Sequence, residues 1–233
     1  MSLGKLYLLP VPIAEGRWDT LPEDTKKEIV RLRFFFVENI RTARRLIKSI
    51  HPEAVIDDLH FSEIHKHHGM DKNLLKTWLQ QGYEIGVMSE SGCPGIADPG
   101  AEAAAVAQEM NAEVIPFVGP SSVLLALMAS GFNGQSFCFN GYLPVKEPER
   151  SRQIKLLEAH SQKNKQTQIF IETPYRNPTL LNDFLKQCSE QTRLCIAYNI
   201  TSEKAFIKTK TIRQWKREKP VLEKQPCVFL LLA

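Results

Sequence analysis

The sequence predicts an α/β protein of two domains, with a mainly parallel sheet in the first domain and a mixed sheet in the second. Up to Ser130, an apolar strand, a loop and a helix follow one another four times, which is typical of parallel strands joined by right-handed crossovers. After Gly131, several predicted strands follow one another without a long helix between them, which indicates a mixed or antiparallel sheet. A loop rich in glycine and proline follows a buried strand at residues 89–100, where α/β proteins place their ligands. We therefore predict an N-terminal domain at residues 1–118 and a C-terminal domain at residues 119–233.

Continuous apolar runs mark the strands of the first half, and capping residues mark its helices. Thr20 and Glu23 have the spacing of a capping box. Asn39 and Asp71 are suitable N-caps for the next two helices, and Asp98 is suitable for the helix after the glycine-rich loop. The predicted strands are 5–11, 34–38, 84–88 and 113–117, with a short one within 55–69, and the predicted helices are 20–31, 40–50, 72–81, 100–110 and 123–130.

The second half is predicted in the same way from apolar runs and their spacing. Its predicted strands are 137–142, 167–172, 194–199, 204–209 and 226–232, and its predicted helices are 149–161 and 178–188, with one short helix between the last two strands.

Composition limits the class of protein. The chain has 233 residues, of which 43% are apolar and 24% charged, which is ordinary for a globular protein. Its five cysteines are dispersed without metal-ligand spacing, so we expect reduced thiols, a cytoplasmic location and no metal. The chain has no signal peptide and no apolar run near the ~20 residues of a membrane span, so we expect no membrane association. The net charge of +4 is compatible with an acidic partner such as RNA but does not require one.

Three loops follow predicted strands and are candidates for a binding site. They read PVPIAEG after the first strand, SESGCPGIADPG at residues 89–100, and VGPSS at residues 118–122. The long loop lacks both glycine-rich phosphate patterns, GxxxxGK[ST] and GxGxxG, but it presents backbone N–H and C=O groups on a tight path. Because the carboxyl ends of parallel strands meet at one edge, we expect the loops to form a crevice for a small polar ligand. The alternative is that the long loop is only a rigid connection.

These loops carry a resemblance to a known family. The chain is similar to the tetrapyrrole methylase superfamily, the class III S-adenosylmethionine-dependent methyltransferases, and within it to the ribosomal RNA small subunit methyltransferase I branch, which methylates a ribose 2′-hydroxyl. The resemblance implies a two-domain tetrapyrrole-methylase-like fold, S-adenosylmethionine in a cleft between the domains, a homodimer and an RNA substrate. The strings that carry it are LYLLPVPI, VMSESGCPGIADPG, FVGPSSVLLAL, FNGYLP and IFIETPYR, and they cover nearly the whole chain.

The resemblance also implies which residues contact the cofactor. The main loop would wrap its amino acid and ribose parts, the first loop and the serine pair would lie beside it, and the second domain would contribute the rest. The implied contacts are Pro10, Pro12, Gly92, Cys93, Gly95, Ile96, Ala97, Asp98, Ser121, Ser122, Leu143, Thr173, Pro174, Tyr175, Asn199, Ile200, Thr201 and Pro226.

The chain departs from this branch at positions that concern the substrate. An EDTR string reads ENIR here, so that Asn39 replaces an aspartate. Where the branch has PTPIGN, this chain has PVPIAEG, and where the branch has a RELT-like string, this chain has YNIT. The sequence ends at CVFLLLA, without the carboxyl-terminal extension common in the branch. These departures concern the methyl acceptor and leave the cofactor expectation intact.

Methyl transfer from a sulfonium needs alignment above all, so positioning can supply most of the rate. A ribose hydroxyl is a poor nucleophile, and a nearby carboxylate would help to remove its proton. Glu38 and Glu172, each at a predicted strand end, are the candidate bases. Arg41 and Arg176 could hold a phosphate or pair with those carboxylates. The alternative is that Glu38 and Arg41 form a structural ion pair.

Two local clusters have more than one interpretation. His60, His65, His67 and His68 are a solvated loop rather than a metal site, or they line the substrate entrance. The helix with Arg41, Arg44, Arg45 and Lys48 has either a solvated or a phosphate-contacting face.

The predicted function is therefore an S-adenosylmethionine-dependent methyltransferase that acts on a ribose in small-subunit ribosomal RNA. Two alternatives stay open: a C-methyltransferase acting on a tetrapyrrole, and a homologue that binds S-adenosylmethionine but has lost turnover.

Overall fold

A computed structural model describes residues 2–65 and 68–233. The chain divides into two compact units, Met1–Ser121 and Ser122–Ala233, so that the division lies three residues beyond the sequence-based domain boundary at 118/119. All five cysteines are free thiols. None of the helices in the described part of the chain has the length and apolarity needed to cross a membrane.

The first unit contains a five-stranded sheet in the order β3-β2-β4-β1-β5, and all of its strand pairs are parallel. This arrangement confirms the parallel sheet predicted from the alternation of strands and helices. The strands are β1 (Lys5–Leu8), β2 (Phe34–Val37), β3 (His60–Glu63), β4 (Glu84–Met88) and β5 (Glu113–Pro116), and the helices are α1 (Glu23–Arg31), α2 (Ile40–Ile50), α3 (Lys72–Gln80) and α4 (Ala101–Glu109).

Helices cover both faces of this sheet, which is why its strands are apolar on both sides. Neighbouring residues of β2 point to opposite faces: Phe36 packs in the cluster formed with α3 and α4, and Phe35 packs in the cluster formed with α1 and α2. Both rings are completely buried, and burial of such a side chain contributes about 1.5–3 kcal/mol. A Cβ at Gly86 would lie 2.8 Å from the side chains of Leu9 and Phe35, so β4 needs glycine at that point.

Two predicted helix caps are confirmed. The Asn39 side chain accepts a hydrogen bond from the Thr42 N–H at 3.1 Å, and Asp71 accepts one from the Leu74 N–H at 2.9 Å. These bonds satisfy N–H groups that have no partner within the helix. Asn39 therefore has a structural role although it departs from the EDTR pattern.

Two other predicted caps are wrong. The Thr20 hydroxyl donates to the Arg17 carbonyl at 2.7 Å within a short 3-10 turn, and α1 begins only after Pro22. Proline suits that place because it has a fixed φ and no N–H that needs a partner. Asp98 does not cap α4, because Gly100 is the N-cap residue, with a φ of +136° that a side chain would hinder.

The second unit contains a mixed sheet in the order β6-β7-β10-β8-β9. β6 pairs parallel with β7 and the other pairs are antiparallel, which confirms the predicted mixed sheet. The strands are β6 (Phe137–Phe139), β7 (Thr167–Glu172), β8 (Arg193–Tyr198), β9 (Phe206–Thr211) and β10 (Cys227–Leu232), and the helices are α5 (Ser122–Ser130), α6 (Glu149–Asn164), α7 (Asn177–Gln187) and α8 (Ile212–Arg217).

The core of the second unit lies on both sides of β10, whose six residues are all buried. Phe229 packs with Phe170 and Phe184 on the side of α6, α7 and α8, whereas Leu230 packs with Ala126 of α5 on the other side. The predicted strand 137–142 is shorter than expected and ends at Phe139, and the predicted helix 149–161 continues to Asn164.

Candidate functional site

Three loops of the first unit meet at the carboxyl edge of its sheet, because β4, β1 and β5 are neighbours. The first two loops are joined through their backbones: the Val11 N–H donates to the Gly92 carbonyl at 2.8 Å, and the Gly92 N–H donates to the Val11 carbonyl at 3.2 Å. The Ser91 hydroxyl also donates to the Ile13 carbonyl at 3.3 Å. The predicted convergence of these loops is therefore present.

The third loop is held by close contact and by one thiol. A Cβ at Gly119 would lie 2.1 Å from the Cβ of Pro10, so the first and third loops approach each other only because residue 119 is glycine. The Cys93 thiol donates to the Pro120 carbonyl at 3.4 Å, which ties the long loop to the third. Burial raises the pKa of the Cys93 thiol, so this side chain stays protonated and acts as a weak donor.

The long loop has a strained and tightly folded backbone. The Gly95 N–H donates to the Pro99 carbonyl at 3.1 Å, and the Ile96 N–H donates to the Cys93 carbonyl at 3.2 Å. Ala97 has a φ of +65°, a conformation that is costly for a residue with a side chain and is concentrated at functional sites. Ile96 is 52% exposed at the loop tip. The loop therefore has a defined conformation and is not a flexible connection.

The predicted catalytic residues of the first unit lie one strand away. Glu38 follows β2, and its N–H donates to the Met88 carbonyl at 3.2 Å. Its carboxylate accepts a hydrogen bond from the Glu90 N–H at 3.1 Å, while the side chain is only partly buried. Arg41 is exposed in the first turn of α2. The structure therefore brings Glu38 to the start of the long loop.

A cavity of about 320 Å³ lies beside this loop and was not predicted from the sequence. The Arg45 guanidinium pairs with the Glu15 carboxylate at 2.6 Å on its wall, and the Thr42 hydroxyl donates to Glu90 at 3.4 Å. Trp18 also lines it. No local pattern marks this cavity, since its walls come from three separate segments: Val11, Pro12, Ile13, Ala14, Glu15 and Trp18 from the first loop; Thr42, Ala43, Arg45, Leu46 and Ser49 from α2; and Met88, Ser89 and Glu90 after β4.

In the second unit, the other candidate base is in a very different environment. The Glu172 side chain is 1% exposed, and its carboxylate pairs with the Arg176 guanidinium at 2.7 Å. The second carboxylate oxygen accepts a hydrogen bond from the Thr173 N–H at 2.7 Å. In the sequence, Pro174 and Tyr175 lie between Glu172 and Arg176. The Tyr175 ring is 73% exposed, and the Lys224 ammonium lies 5.1 Å from its centre.

Asn199 and Pro226 are also brought together, because the Asn199 N–H donates to the Pro226 carbonyl at 2.8 Å. Asn199 and Thr201 have φ values of +48° and +69°, and such a value is unusual for β-branched Thr201. Leu143 and Ile200 are 3% and 6% exposed and pack in hydrophobic clusters, so their backbones rather than their side chains are available to a ligand. Ser121 ends the first unit and Ser122 begins α5.

The histidines give no metal centre in the part of the chain that the structure describes. Residues 2–65 and 68–233 contain no group of three or more His, Cys, Asp and Glu side chains that could hold a metal ion. His60 stacks on Phe34 with ring centres 4.7 Å apart, and His65 pairs with Gly69 through its backbone. His67 lies outside the described residues.

Known proteins similar to this chain decide the family. Ribosomal RNA small subunit methyltransferase I of Synechocystis sp. is 31% identical over 199 residues, which are 85% of this chain and 68% of that protein. The protein of the same name from Haemophilus influenzae is 30% identical over 232 residues, which are 98% of this chain and 78% of that protein. This chain belongs to that family. The family assignment confirms the sequence prediction of an S-adenosylmethionine-dependent methyltransferase.

Solved structures agree with the fold of this family. Cobalt precorrin-4 methyltransferase, a cobalamin biosynthetic enzyme, aligns with a TM-score of 0.60 at 16% identity, covering 98% of this chain and 94% of its own. At that identity the likeness shows the fold alone, and it confirms the tetrapyrrole-methylase-like α/β fold. No protein-family model matches the chain.

Proposed function

We propose that this protein transfers the methyl group of S-adenosylmethionine to a ribose 2′-hydroxyl in small-subunit ribosomal RNA. The family supports the reaction and the class of acceptor, through the names of its members. The observation that carries the proposal is the loop assembly, in which the Val11–Gly92 backbone pair and the Gly119–Pro10 contact fix the long loop. Such an assembly is preorganised for a small ligand, so little free energy is lost in ordering it on binding.

The residues of the long loop suit S-adenosylmethionine in their chemistry. Gly92 and Gly95 have φ values of +74° and +83°, a left-handed conformation that glycine adopts readily because it has no side chain. Asp98 is one of the two carboxylates on this loop, the other being Glu90, and it would accept hydrogen bonds from ribose hydroxyls or an ammonium group. The cofactor would supply a methyl group already activated on a sulfonium. The contacts predicted for the second unit stay predictions.

Glu38 is the better candidate to accept the proton of the ribose hydroxyl. Its side chain is partly exposed and accepts a hydrogen bond from the Glu90 N–H at 3.1 Å, at the edge where the long loop begins. The Glu172 carboxylate is instead buried and paired with a guanidinium, so it is less accessible to a substrate hydroxyl. We therefore assign proton removal to Glu38, phosphate binding to Arg41, and the support of residues 173–175 to Glu172.

Calorimetric titration tests the cofactor site. The wild-type protein should bind S-adenosylmethionine, and S-adenosylhomocysteine should compete with it. Absence of heat together with absence of competition would contradict the assignment of the long loop.

A ribose-methylation map of small-subunit ribosomal RNA, from cells with and without the gene, tests the acceptor. We expect one 2′-O-methylated position to disappear with the gene. An unchanged map with intact cofactor binding would favour a tetrapyrrole acceptor or a protein without turnover.

The resemblance also implies a homodimer, and the dispersed cysteines predict a cytoplasmic location. Both stay predictions, and light scattering on the purified protein would measure the first. A mass of twice 26.5 kDa is expected.

A further inference from the structure

One segment of the second unit is rich in basic residues. Residues 204–219, which we name the basic edge, contain seven lysines and arginines and one acidic residue, Glu218. The remainder of the chain has 23 basic and 25 acidic residues, so the chain without this segment would have a net charge of −2. The basic residues are Lys204, Lys208, Lys210, Arg213, Lys216, Arg217 and Lys219.

The fold displays these charges at one border of a sheet. β9 is the edge strand of the mixed sheet, and α8 follows it directly. Thr209 points toward α5, since its hydroxyl donates to the Ser130 carbonyl at 2.7 Å. Because side chains alternate along a strand, Lys208 and Lys210 point to the opposite face. Lys210 indeed pairs with Glu218, just beyond the end of α8. The lysines of β9 and the cations of α8 therefore share one surface.

The surface is rigid although its charges are exposed. Trp215 of α8 is 3% exposed, and its indole N–H donates to the Leu194 carbonyl of β8 at 2.7 Å. Thr211 and Gln214 form a reciprocal capping box at the start of α8. Six of the seven basic side chains are exposed, and Lys210 is the exception. The basic groups are thus held on a fixed frame before any partner arrives.

The segment has more cations than nearby carboxylates can neutralise. Glu190 pairs with both Arg213, at 2.9 Å, and Lys216, at 3.9 Å. Lys219 donates to the neutral Asn182 amide, and no carboxylate in the described part of the chain pairs with it. Among the described residues, Lys204, Lys208 and Arg217 have no ion-pair partner within 4 Å. A surplus of at least three exposed charges therefore faces solvent.

Protection of an edge strand explains only part of this pattern. Lysines on an edge strand prevent it from pairing with other strands, which accounts for Lys208. It does not account for Arg213, Lys216 and Arg217, which lie on the helix. A membrane surface is also a poor match, because its binding needs exposed apolar side chains as well as charge. The large apolar residues of this segment (Phe206, Ile207, Ile212 and Trp215) are buried or partly buried.

We infer that the basic edge binds the phosphate backbone of the RNA substrate. In the sequence, this segment is separate from the three loops proposed to bind S-adenosylmethionine. This inference rests on the proposed function, since it names how that substrate is held. Exposed cations on a rigid frame release condensed counterions from RNA when they bind phosphates. The contact holds the RNA without reading its sequence.

The test compares two triple variants that lose the same charge. One variant carries Lys204→Gln, Lys208→Gln and Arg217→Gln. The control carries Lys155→Gln, Lys163→Gln and Lys186→Gln, which are exposed lysines of the same unit on α6 and α7. Binding of in-vitro-transcribed small-subunit ribosomal RNA is measured from 50 to 200 mM salt. Thermal unfolding midpoints should match the wild type for both, because all six positions are exposed.

We expect the basic-edge variant to bind RNA about tenfold more weakly at 50 mM salt, with the slope of log affinity against log salt reduced by about 2–3. The control should stay close to the wild type. Equal losses in both variants, or wild-type affinity in the basic-edge variant, would overturn the inference. Loss of binding to anionic vesicles with unchanged RNA binding would also overturn it, in favour of a membrane partner. Methyl transfer by the wild type separately tests the proposed function.

Discussion

The ends of β2 and β7 place a glutamate at the same point of a strand but in opposite environments. Glu38 is partly exposed and accepts a hydrogen bond from a backbone N–H at 3.1 Å. Glu172 is buried, and the Arg176 guanidinium neutralises its charge at 2.7 Å. A carboxylate needs an accessible lone pair to act as a base, whereas a buried ion pair is suited to fixing a backbone. We therefore expect a chemical role for Glu38 and a structural role for Glu172.

The largest effect is expected at Glu38. Glu38→Gln keeps the size of the side chain and an oxygen that can accept the Glu90 N–H, but it cannot take a proton. We expect methyl transfer to slow by about 10²-fold or more, with unchanged affinity for S-adenosylmethionine, as measured by single-turnover kinetics and calorimetry.

Glu63→Gln is the matched control for that variant. Glu63 ends the neighbouring strand β3, and its carboxylate also accepts a backbone N–H, from Ile40 at 3.2 Å. Its substitution should leave the rate near that of the wild type. A normal rate in Glu38→Gln would remove Glu38 from the mechanism.

Glu172→Gln should instead lower the free energy of unfolding. We expect a loss of about 3 kcal/mol, at the low end for a broken buried ion pair, because the Arg176 side chain keeps 31% of its surface in water. Denaturant unfolding measures it, with exposed Glu53→Gln as a control that should stay within about 0.5 kcal/mol. If stability is unchanged while the turnover of the folded protein collapses, the roles of the two carboxylates are the reverse of those assigned.

Gly119→Ala tests whether the packing of the loops near Glu38 shapes the cofactor site. The added Cβ would meet Pro10 at 2.1 Å, so the first and third loops must separate. We expect affinity for S-adenosylmethionine to fall about tenfold and the free energy of unfolding to fall by about 1–3 kcal/mol. Gly134→Ala has nothing within 4 Å of the new Cβ and should bind normally. Equal affinity in both variants would show that the loop contact does not shape the site.

The smallest effect on stability is expected at a third carboxylate, Glu84. Like Glu172, it forms an ion pair with an arginine, Arg31, but it is more exposed. Hydrogen bonds from Arg31 and Tyr7 hold the pKa of the Glu84 carboxyl below its usual value of 4.5. Burial and the bond to Glu84 raise the pKa of Tyr7 to about 12. Because the pKa of Glu84 is lowered by folding, its contribution to stability is present above pH 4.5 and is lost as pH falls through the lowered pKa.

The unfolding midpoint of the wild type should fall between pH 5 and pH 3, and Glu84→Gln should make this fall smaller. The difference should be smaller than the drop in unfolding midpoint that Glu172→Gln causes at neutral pH. The exposed Glu109→Gln should leave that pH profile unchanged. Identical profiles for the wild type and Glu84→Gln would show that water screens the pair completely.

Patterns within single segments predicted most of the fold. The apolar run of β2 and the caps Asn39 and Asp71 are local signals, and the structure confirms them. The capping box at Thr20 failed because Pro22 determines where the helix begins, and Asp98 failed because Gly100 takes the cap position.

The candidate site was predictable only in part. The convergence of the three loops follows from strand order, which the alternating pattern implies. The contact of Gly119 with Pro10, about 110 residues apart, and the cavity beside Trp18 depend on tertiary structure, and no local pattern marks them. The different environments of Glu38 and Glu172 could not be predicted from the sequence either, because they depend on burial and on the ion pair between Glu172 and Arg176.

Transfer of a labelled methyl group to RNA tests the central claim most directly. The wild-type protein is incubated with methyl-labelled S-adenosylmethionine and small-subunit ribosomal RNA, and the RNA is then hydrolysed with alkali. Because a 2′-O-methyl group blocks cleavage at its own nucleotide, we expect the label in an alkali-resistant dinucleotide. Label in mononucleotides only, or no label in the RNA, would contradict the proposal.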